Sequence, residues 1–175
     1  SNDQLSQWQM PEMAGSMAMC ATGGWIVAME TGIYLVQLQS NGASTHEKLA
    51  DVEHPTQPMR FNDGRCDRQG RFLSGTMFND TKAGKSVGSL YRFGNDNQLT
   101  PLMGDLIVPN GLAFSPDGCT MYLADTYASR QTVWAFDYDV DTGTPHNQRV
   151  FVDMHQHLGR PDGAAVDADG CYWVC

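Results

Sequence analysis

Apolar and polar residues alternate along the chain in short runs, and nearly every run stops at Gly, Asp, Asn or Pro. Alternation with period two puts successive side chains on opposite faces of a strand, whereas the 3.6-residue spacing of an amphipathic helix is almost missing. Four runs are alike: "ATGGWIVAM" (21–29), "DRQGRFLSG" (67–75), "SPDGCTMYLA" (115–124) and "DADGCYWVC" (167–175). Each sets a polar-glycine turn just ahead of an aromatic or apolar strand. The turn glycines Gly24, Gly70, Gly118 and Gly170 lie 46, 48 and 52 residues apart. A repeat of about 40–50 residues with several strands per unit predicts an all-β fold, a β-propeller.

The unit over 110–153 resolves into four antiparallel strands: "GLAFS" (111–115), "TMYLAD" (120–125), "TVWAFDYD" (132–139) and "QRVFVDM" (148–154), with "SPDG" and "DTGT" as turns. A second unit covers 62–103 with "GSLYRF" (88–93) as its third strand, and an earlier one covers 14–50 with "GIYLVQL" (32–38) in that place. From Gly163 a fourth unit begins, and two of its strands follow. The expectation is one propeller domain over 1–175 holding about three and a half four-stranded blades. A closed ring takes about four to eight blades, and an open arc leaves strand edges bare. The chain therefore reads as part of a longer protein.

Counting back from the turn glycines exposes a second regularity. Asn62, Asn110 and Asp162 each stand eight residues before Gly70, Gly118 and Gly170. They therefore hold one equivalent position, at the entrance to the innermost strand of three successive blades, where such positions converge on the axis. Each is followed closely by a glycine, Gly64, Gly111 or Gly163, which permits tight backbone approach. In the first blade the same offset falls on Ser16. Asn, Asp and Gly also recur at turns for conformational reasons alone, and a repeat copies them at one offset. Chemistry that a turn does not need stands beside them: Arg60 two residues before Asn62, and Arg160 two before Asp162. Arginine presents a fixed fork of donors suited to oxyanions, carbonyls or carboxylates. Oxygen donors favour a hard cation such as Ca²⁺, with Mg²⁺ or Mn²⁺ as alternatives, over zinc.

Composition changes this picture little. The chain of 175 residues suits one ordinary domain, and its 41% hydrophobic content argues against disorder. A formal net charge of −9 disfavours nucleic acid and anionic membrane surfaces as partners. No run approaches the roughly 20 apolar residues that span a bilayer. The N-terminus lacks the pattern of a signal peptide, and Ser1-Asn2 has the look of a tag-removal scar. Cys20, Cys66, Cys119, Cys171 and Cys175 form no C-x-x-C pair, so buried free thiols in a reducing cytoplasm are expected. "HQH" (155–157) alternates two imidazoles that could seat a transition metal, but in a loop leaving an outer strand. His46, His54 and His146 read as loop surface, and Trp8, Trp25, Trp134 and Trp173 as packing between blades. "GNDNQ" (94–98) and "DVDTG" (139–143) read as hairpin turns and not as calcium loops. There is no G-x-S-x-G elbow for a serine nucleophile, and the oligomeric state is left open.

The segments "RFNDGRCDRQGRFLSGTM" (60–77), "VPNGLAFSPDGCTMYLADT" (108–126), "VWAFDYDVDTG" (133–143) and "RPDGAAVDADGCYWV" (160–174) resemble the senescence marker protein/gluconolactonase/luciferin-regenerating enzyme (regucalcin-like) family. Residues 1–59 match more loosely, through "GGWIVAMETGIYLV" (23–36). The resemblance implies a six-bladed propeller, of which this chain would be about sixty per cent, without the family's first-blade and last-blade regions. It implies lactone hydrolysis with one divalent metal, Ca²⁺ foremost, with Mg²⁺, Mn²⁺ or Zn²⁺ as alternatives. By motif it makes Asn110 and Asp162 metal ligands, Asp162 also the general base, and Arg60 and Asn62 holders of substrate and water, with Asp63 adjacent. A family Glu that touches substrate falls near Asp80. The family's third metal ligand, a Glu in a "GE-P-W" motif, has no counterpart here. Glu12 in "WQMPEM" (8–13) precedes the first blade's inner strand and does not fit.

A lactone is an internal ester, so opening it takes a polarised carbonyl and a water nucleophile. The implied cation would polarise the carbonyl as a Lewis acid, Asp162 would accept the proton of water, and Arg60 with Asn62 would stabilise the developing oxyanion. The other reading of the same residues is a calcium-binding or protein-interaction propeller without catalysis.

Overall fold

Two of the four repeated turns are built alike, around an aspartate. Asp67 Oδ1 accepts from the backbone N–H of Gln69 at 3.0 Å and Arg71 at 2.9 Å, and Asp167 Oδ1 accepts from Asp169 at 3.0 Å and Cys171 at 2.9 Å. Gly24, Gly70, Gly118 and Gly170 have φ of +81°, +84°, +76° and +86°, a conformation open cheaply to glycine alone. These turns set the repeat that the sequence displays. The computed structural model describes residues 5–175, so the reading of Ser1-Asn2 lies outside the described residues.

Three four-stranded antiparallel meanders and one hairpin follow in chain order. The first sheet is β1 (Ser16–Met19), β2 (Trp25–Ala28), β3 (Gly32–Leu38) and β4 (Ser44–Asp51). The second is β5 (Met59–Cys66), β6 (Phe72–Phe78), β7 (Gly88–Phe93) and β8 (Leu99–Leu106). The third is β9 (Pro109–Phe114), β10 (Thr120–Asp125), β11 (Thr132–Asp139) and β12 (Thr144–Asp153), and β13 (Ala164–Val166) pairs with β14 (Tyr172–Val174). Single 3₁₀ turns lie at Thr81–Ala83 and Met154–Gln156. The first strands β1, β5, β9 and β13 pack beside one another in that order, which is the arrangement of consecutive β-propeller blades around an axis.

The core lies between blades. Leu73, Leu90 and Leu106 of the second sheet interleave with Leu112, Phe114, Met121, Leu123 and Phe136 of the third. Ala28 and Ile33 of the first sheet meet Phe61, Phe72 and Phe93 of the second. Strand β6, covered on both faces, is buried along its whole length, while outer strands β4 and β12 are largely exposed. Strand pattern and burial therefore agree: alternate side chains serve the blade before and the blade after.

Polar bonds lock the second and third blades together. Asp67 Oδ2 accepts from Arg71 Nε at 2.5 Å and from the buried Tyr138 hydroxyl at 2.8 Å. Arg71 continues to the carbonyls of Val140 at 2.7 Å and Asp141 at 3.0 Å, and Arg92 donates to those of Thr142 and Gly143. The "DVDTG" segment is thus a hairpin turn capped by two arginines of the neighbouring blade. Burial, and then the donation to Asp67, hold the Tyr138 hydroxyl far above the ordinary phenol range, so it stays a donor.

Four expectations need correction. The thiols are free but not buried: Cys119, Cys171 and Cys175 are exposed because they sit at turns and at the chain end, and Cys20 and Cys66 are half-buried. Trp173 is 65% exposed and donates to Asp167 instead of packing between blades. His54 is half-buried, its Nε2 2.7 Å from the Glu30 carbonyl and its ring against Phe61; His46 and His146 lie on strands β4 and β12. Gly163 meets no neighbour within 4 Å where a Cβ would stand, unlike Gly64 and Gly111. No helix among the described residues is long and apolar enough to cross a membrane.

Removing Arg71 leaves a buried carboxylate without its cation, so Arg71→Ala is expected to cost about 3–5 kcal/mol. Tyr138→Phe, which removes one neutral donor, should cost about 1 kcal/mol. Urea unfolding followed by circular dichroism reads both. Equal, negligible effects would remove the polar lock from the account.

Candidate functional site

Two β-bulges create the site. Phe61 pairs with Thr76 and Gly64 with Ser74, so Asn62 and Asp63 together oppose the single residue Gly75. In the next blade Asn110 pairs with Ala124 and Ala113 with Tyr122, so Gly111 and Leu112 oppose Leu123. A bulge frees backbone groups and re-aims side chains. Gly111 takes φ +61°, and a Cβ there would collide with the Tyr172 hydroxyl, which donates to the Gly111 carbonyl at 2.8 Å. Asn62 is the fourth residue of β5 and Asn110 the second of β9, while Asp162 stands two residues before β13.

The freed groups of Leu112 are satisfied from the blade before. Its N–H donates to Asp63 Oδ2 at 2.9 Å, and its carbonyl accepts from Arg65 Nε at 2.9 Å. Asp63 Oδ1 accepts from Gly64 N at 2.9 Å, so both carboxylate oxygens already serve backbone. Burial raises the Asp63 carboxyl above the ordinary aspartate range, the two N–H donors oppose that shift, and the charge of Asp162 adds to it. Arg65 Nη2 reaches the Ala164 carbonyl at 2.6 Å and ties inner strand β13 in turn.

Above this junction runs one hydrogen-bonded row. Arg60 Nη1 donates to Asn62 Oδ1 at 2.8 Å and to the Phe61 carbonyl at 2.8 Å. Asn62 Nδ2 donates to Asn110 Oδ1 at 2.9 Å and to the Pro109 carbonyl at 3.0 Å. Asn110 Nδ2 donates to Thr126 Oγ1 at 2.6 Å, and Thr126 Oγ1 donates to the Pro161 carbonyl at 2.6 Å. The row crosses from the second blade through the third to the turn that carries Asp162. Two of the three oxygen-bearing residues that share the eight-residue offset are thus in direct contact, and the third is adjacent in chain to the row's end.

Arg60 is half-buried and makes no ion pair among the described residues; burial lowers its pKa, and Glu30 opposes that from a distance. Its Nε and Nη2 have no hydrogen-bond partner among the described residues. Asp80 caps the turn Thr81–Ala83 by accepting from Lys82 N at 3.0 Å, and its neighbour Asn79 has a buried, unpartnered Oδ1. Thr126, which follows β10, was not singled out by sequence. The only local signal is "ADT" directly after a second strand, and its contacts lie 16 and 35 residues away. A cleft of about 400 Å³ is lined by Thr81, Lys82, Val108, Thr126, Tyr127 and Arg160, among others; Thr126 joins it to the row, while Arg60, Asn62, Asn110 and Asp162 are not in its lining.

Asn110 Oδ1 keeps a lone pair beyond its bond to Asn62, and Asp162 offers an exposed carboxylate. Both are hard oxygen donors, which fits a cation of the Ca²⁺ or Mg²⁺ kind in chemistry. Among the described residues no three His, Cys, Asp or Glu side chains gather to hold a metal. Glu12 is engaged elsewhere, accepting from Thr31 N at 2.8 Å, Thr31 Oγ1 at 2.6 Å and Tyr34 Oη at 2.7 Å.

A family model described as "SMP-30/Gluconolactonase/LRE-like region" matches residues 1–175. The 6-deoxy-6-sulfogluconolactonase of Pseudomonas putida is 39% identical over 169 residues, covering 97% of this chain and 56% of the relative. A luciferin-regenerating enzyme superposes with TM-score 0.86 at 29% identity, over 95% of this chain and 56% of that one. A regucalcin from Agrobacterium tumefaciens, described as a calcium-binding protein, gives TM-score 0.82 at 31% identity, over 94% and 54%. The chain spans about half the length of the curated relatives it matches.

Thr126→Val should destabilise by about 1–3 kcal/mol, because Asn110 Nδ2 and the Pro161 carbonyl lose their shared partner. Thr126→Ser keeps the hydroxyl and should stay within about 1 kcal/mol of the parent. Guanidinium unfolding of the pair is the measurement; a valine variant as stable as the serine one would break the row.

Proposed function

Because the chain belongs to the SMP-30/gluconolactonase/LRE-like family, we propose that the protein opens a sugar-type lactone by hydrolysis, with one divalent cation, Ca²⁺ foremost, as cofactor. The observation that carries this reading is the row from Arg60 to Pro161, whose Thr126 also lines a cleft of about 400 Å³, a volume suited to a small ligand. The kinship with a 6-deoxy-6-sulfogluconolactonase supports the reaction class.

Asn110 and Asp162 would hold the cation, which when bound supplies Lewis acidity at the lactone carbonyl. Asp162 accepts a proton from water as the water oxygen bonds to the carbonyl carbon. Arg60 directs its free Nε and Nη2 donors at the carbonyl oxygen as that oxygen gains charge. The ring C–O bond then breaks, and the leaving alkoxide takes the proton back from Asp162, giving a hydroxy acid. Asn62 has both N–H groups committed to Pro109 and Asn110, so it acts as a positioning residue for Arg60 and Asn110. Asp63 braces the bulge of the next blade, and Asp80 orders the turn at the cleft rim.

A neighbour described as a calcium-binding protein favours a second reading, cation binding without catalysis. Asp162→Asn separates the two. Under the lactonase reading it lowers kcat by about 10²–10⁴-fold while the protein stays folded, Arg60→Lys lowers kcat/KM by about 10–100-fold, and chelation with EDTA abolishes turnover. Hydrolysis that survives both Asp162→Asn and EDTA would overturn the reading, as would no turnover of any lactone after Ca²⁺, Mg²⁺, Mn²⁺ or Zn²⁺ is added.

A further inference from the structure

A second cavity, of about 690 Å³, opens between the first and second blades. Its apolar lining includes Ile26 and Leu49 from the first blade and Phe72 and Phe93 from the second, and every residue that lines it belongs to one of those two sheets or their hairpin turns. Two of the chain's five thiols, Cys20 and Cys66, face this one space. The other three, Cys119, Cys171 and Cys175, stand in the third and fourth units and are exposed.

The strands bring the two thiols to one place. Cys20 directly follows β1 and Cys66 ends β5, and these inner strands run side by side. Near their starts the blades already touch, with Ser16 Oγ 3.0 Å from Ser74 Oγ. Further along, Ala18 and Cys66 pack against the same apolar cluster. Side chains two residues apart share a strand face, so Cys20 follows Ala18 towards that cluster and the cavity. Cys20 also opens the turn that ends at Gly24, and the space around Gly23 is empty, which leaves the turn room to shift. The row begins at the opposite end of β5, where Arg60 is the second residue, so the thiols occupy a separate place on the molecule.

The two sulfurs are unequal. Cys20 Sγ lies 3.2 Å from Thr22 Oγ1, and that hydroxyl, followed by the Thr22 N–H, holds the thiol below its ordinary range. Burial, and then the charge of Asp67, push the Cys66 thiol up; Arg65 opposes the rise and the charge of Cys20 adds to it, so the sulfurs are within electrostatic reach. Among the described residues no third His, Cys, Asp or Glu joins them to hold a metal. The thiolate is the reactive form, which makes Cys20 the attacking sulfur and Cys66 the resolving one.

We propose that Cys20 and Cys66 form a redox pair, which a hydroperoxide closes into a disulfide across the boundary between the first two blades. The Cys20 thiolate attacks one peroxide oxygen: an S–O bond forms, the O–O bond breaks, and the departing hydroxide is protonated to water. The Cys66 sulfur then attacks the Cys20 sulfur: an S–S bond forms, the S–O bond breaks, and the hydroxide leaves with the Cys66 proton as a second water. Two thiols lose two electrons and one peroxide gains them. The pair is independent of the lactonase reading.

The test treats the whole protein with one equivalent of hydrogen peroxide, blocks the remaining thiols with iodoacetamide, and maps unreduced peptides by mass spectrometry. A peptide joining Cys20 to Cys66 should dominate, and dithiothreitol should return both thiols. Cys66→Ser should leave a sulfenic acid on Cys20 that dimedone traps, while Cys20→Ser should slow oxidation of Cys66 about tenfold or more. Because the linkage is read on the parent protein, it stands even if a variant folds poorly. Cys20 and Cys66 both left free, sulfinic acid on Cys20 beside an untouched Cys66, or disulfides confined to Cys119, Cys171 and Cys175 would each overturn the pair. Equal oxidation of Cys66 with and without Cys20 would overturn it as well.

Discussion

A β-sheet has no spare backbone donors or acceptors in its interior, so every bulge must be answered from somewhere else. In this protein the bulge at Gly111–Leu112 is answered by Asp63 and Arg65 of the preceding blade. That exchange has two consequences. It welds inner strand β5 to β9, and it leaves Asn110 and Asn62 turned towards one another above the weld. The candidate site exists because a local break in pairing is compensated across a blade boundary, where an unsatisfied N–H would cost free energy comparable to a lost hydrogen bond.

The same economy governs the rest of the fold. Blades are thin, and the two larger apolar cores form where two sheets face each other, while a smaller one on the first sheet, around Val27, Met29, Tyr34 and Val36, is packed against Met10. Arginines do at the outer edge what bulges do near the axis: Arg71 and Arg92 take the carbonyls of a neighbouring hairpin, and Asp67 with Tyr138 fixes Arg71 in place. A propeller blade is consequently a unit of sequence but not a unit of stability, since each blade's polar and apolar needs are met by the next.

Charge then sets the chemistry at the rim. Most cations are spent on structure; Lys85 lies over the Phe78 ring, Arg60 starts the hydrogen-bonded row, and Lys82 and Arg160 line the cleft. The donors near the axis are amide and carboxylate oxygens, while the walls of the cleft are hydroxyls and cations. Such a surface discriminates ligands by the placement of oxygen and negative charge more than by apolar area.

The strands were legible from sequence because period-two alternation and a glycine at positive φ are local properties. "TMYLAD" and "TVWAFDYD" are strands β10 and β11 residue for residue, and the glycines at 24, 70, 118 and 170 all adopt the left-handed turn. The shared offset of Asn62, Asn110 and Asp162 was legible too, but the sheets do not place them alike: Asn62 lies within the bulge of β5, Asn110 pairs with Ala124 just before the bulge of β9, and Asp162 precedes β13. What those residues touch was not. Thr126 joins Asn110 to a carbonyl 35 residues further on, Asp63 serves an N–H 49 residues away, and Lys82 and Arg160 meet across one cleft. Exposure misled in the same way: Trp173 looked like packing and Cys119 like core, because composition carries no information about which face a neighbour covers. Sequence determined the elements and their period, through forces that act within a few residues. The tertiary structure alone decided the partners, since hydrogen bonds between blades depend on how twisted sheets stack, and that depends on the whole ensemble of contacts at once.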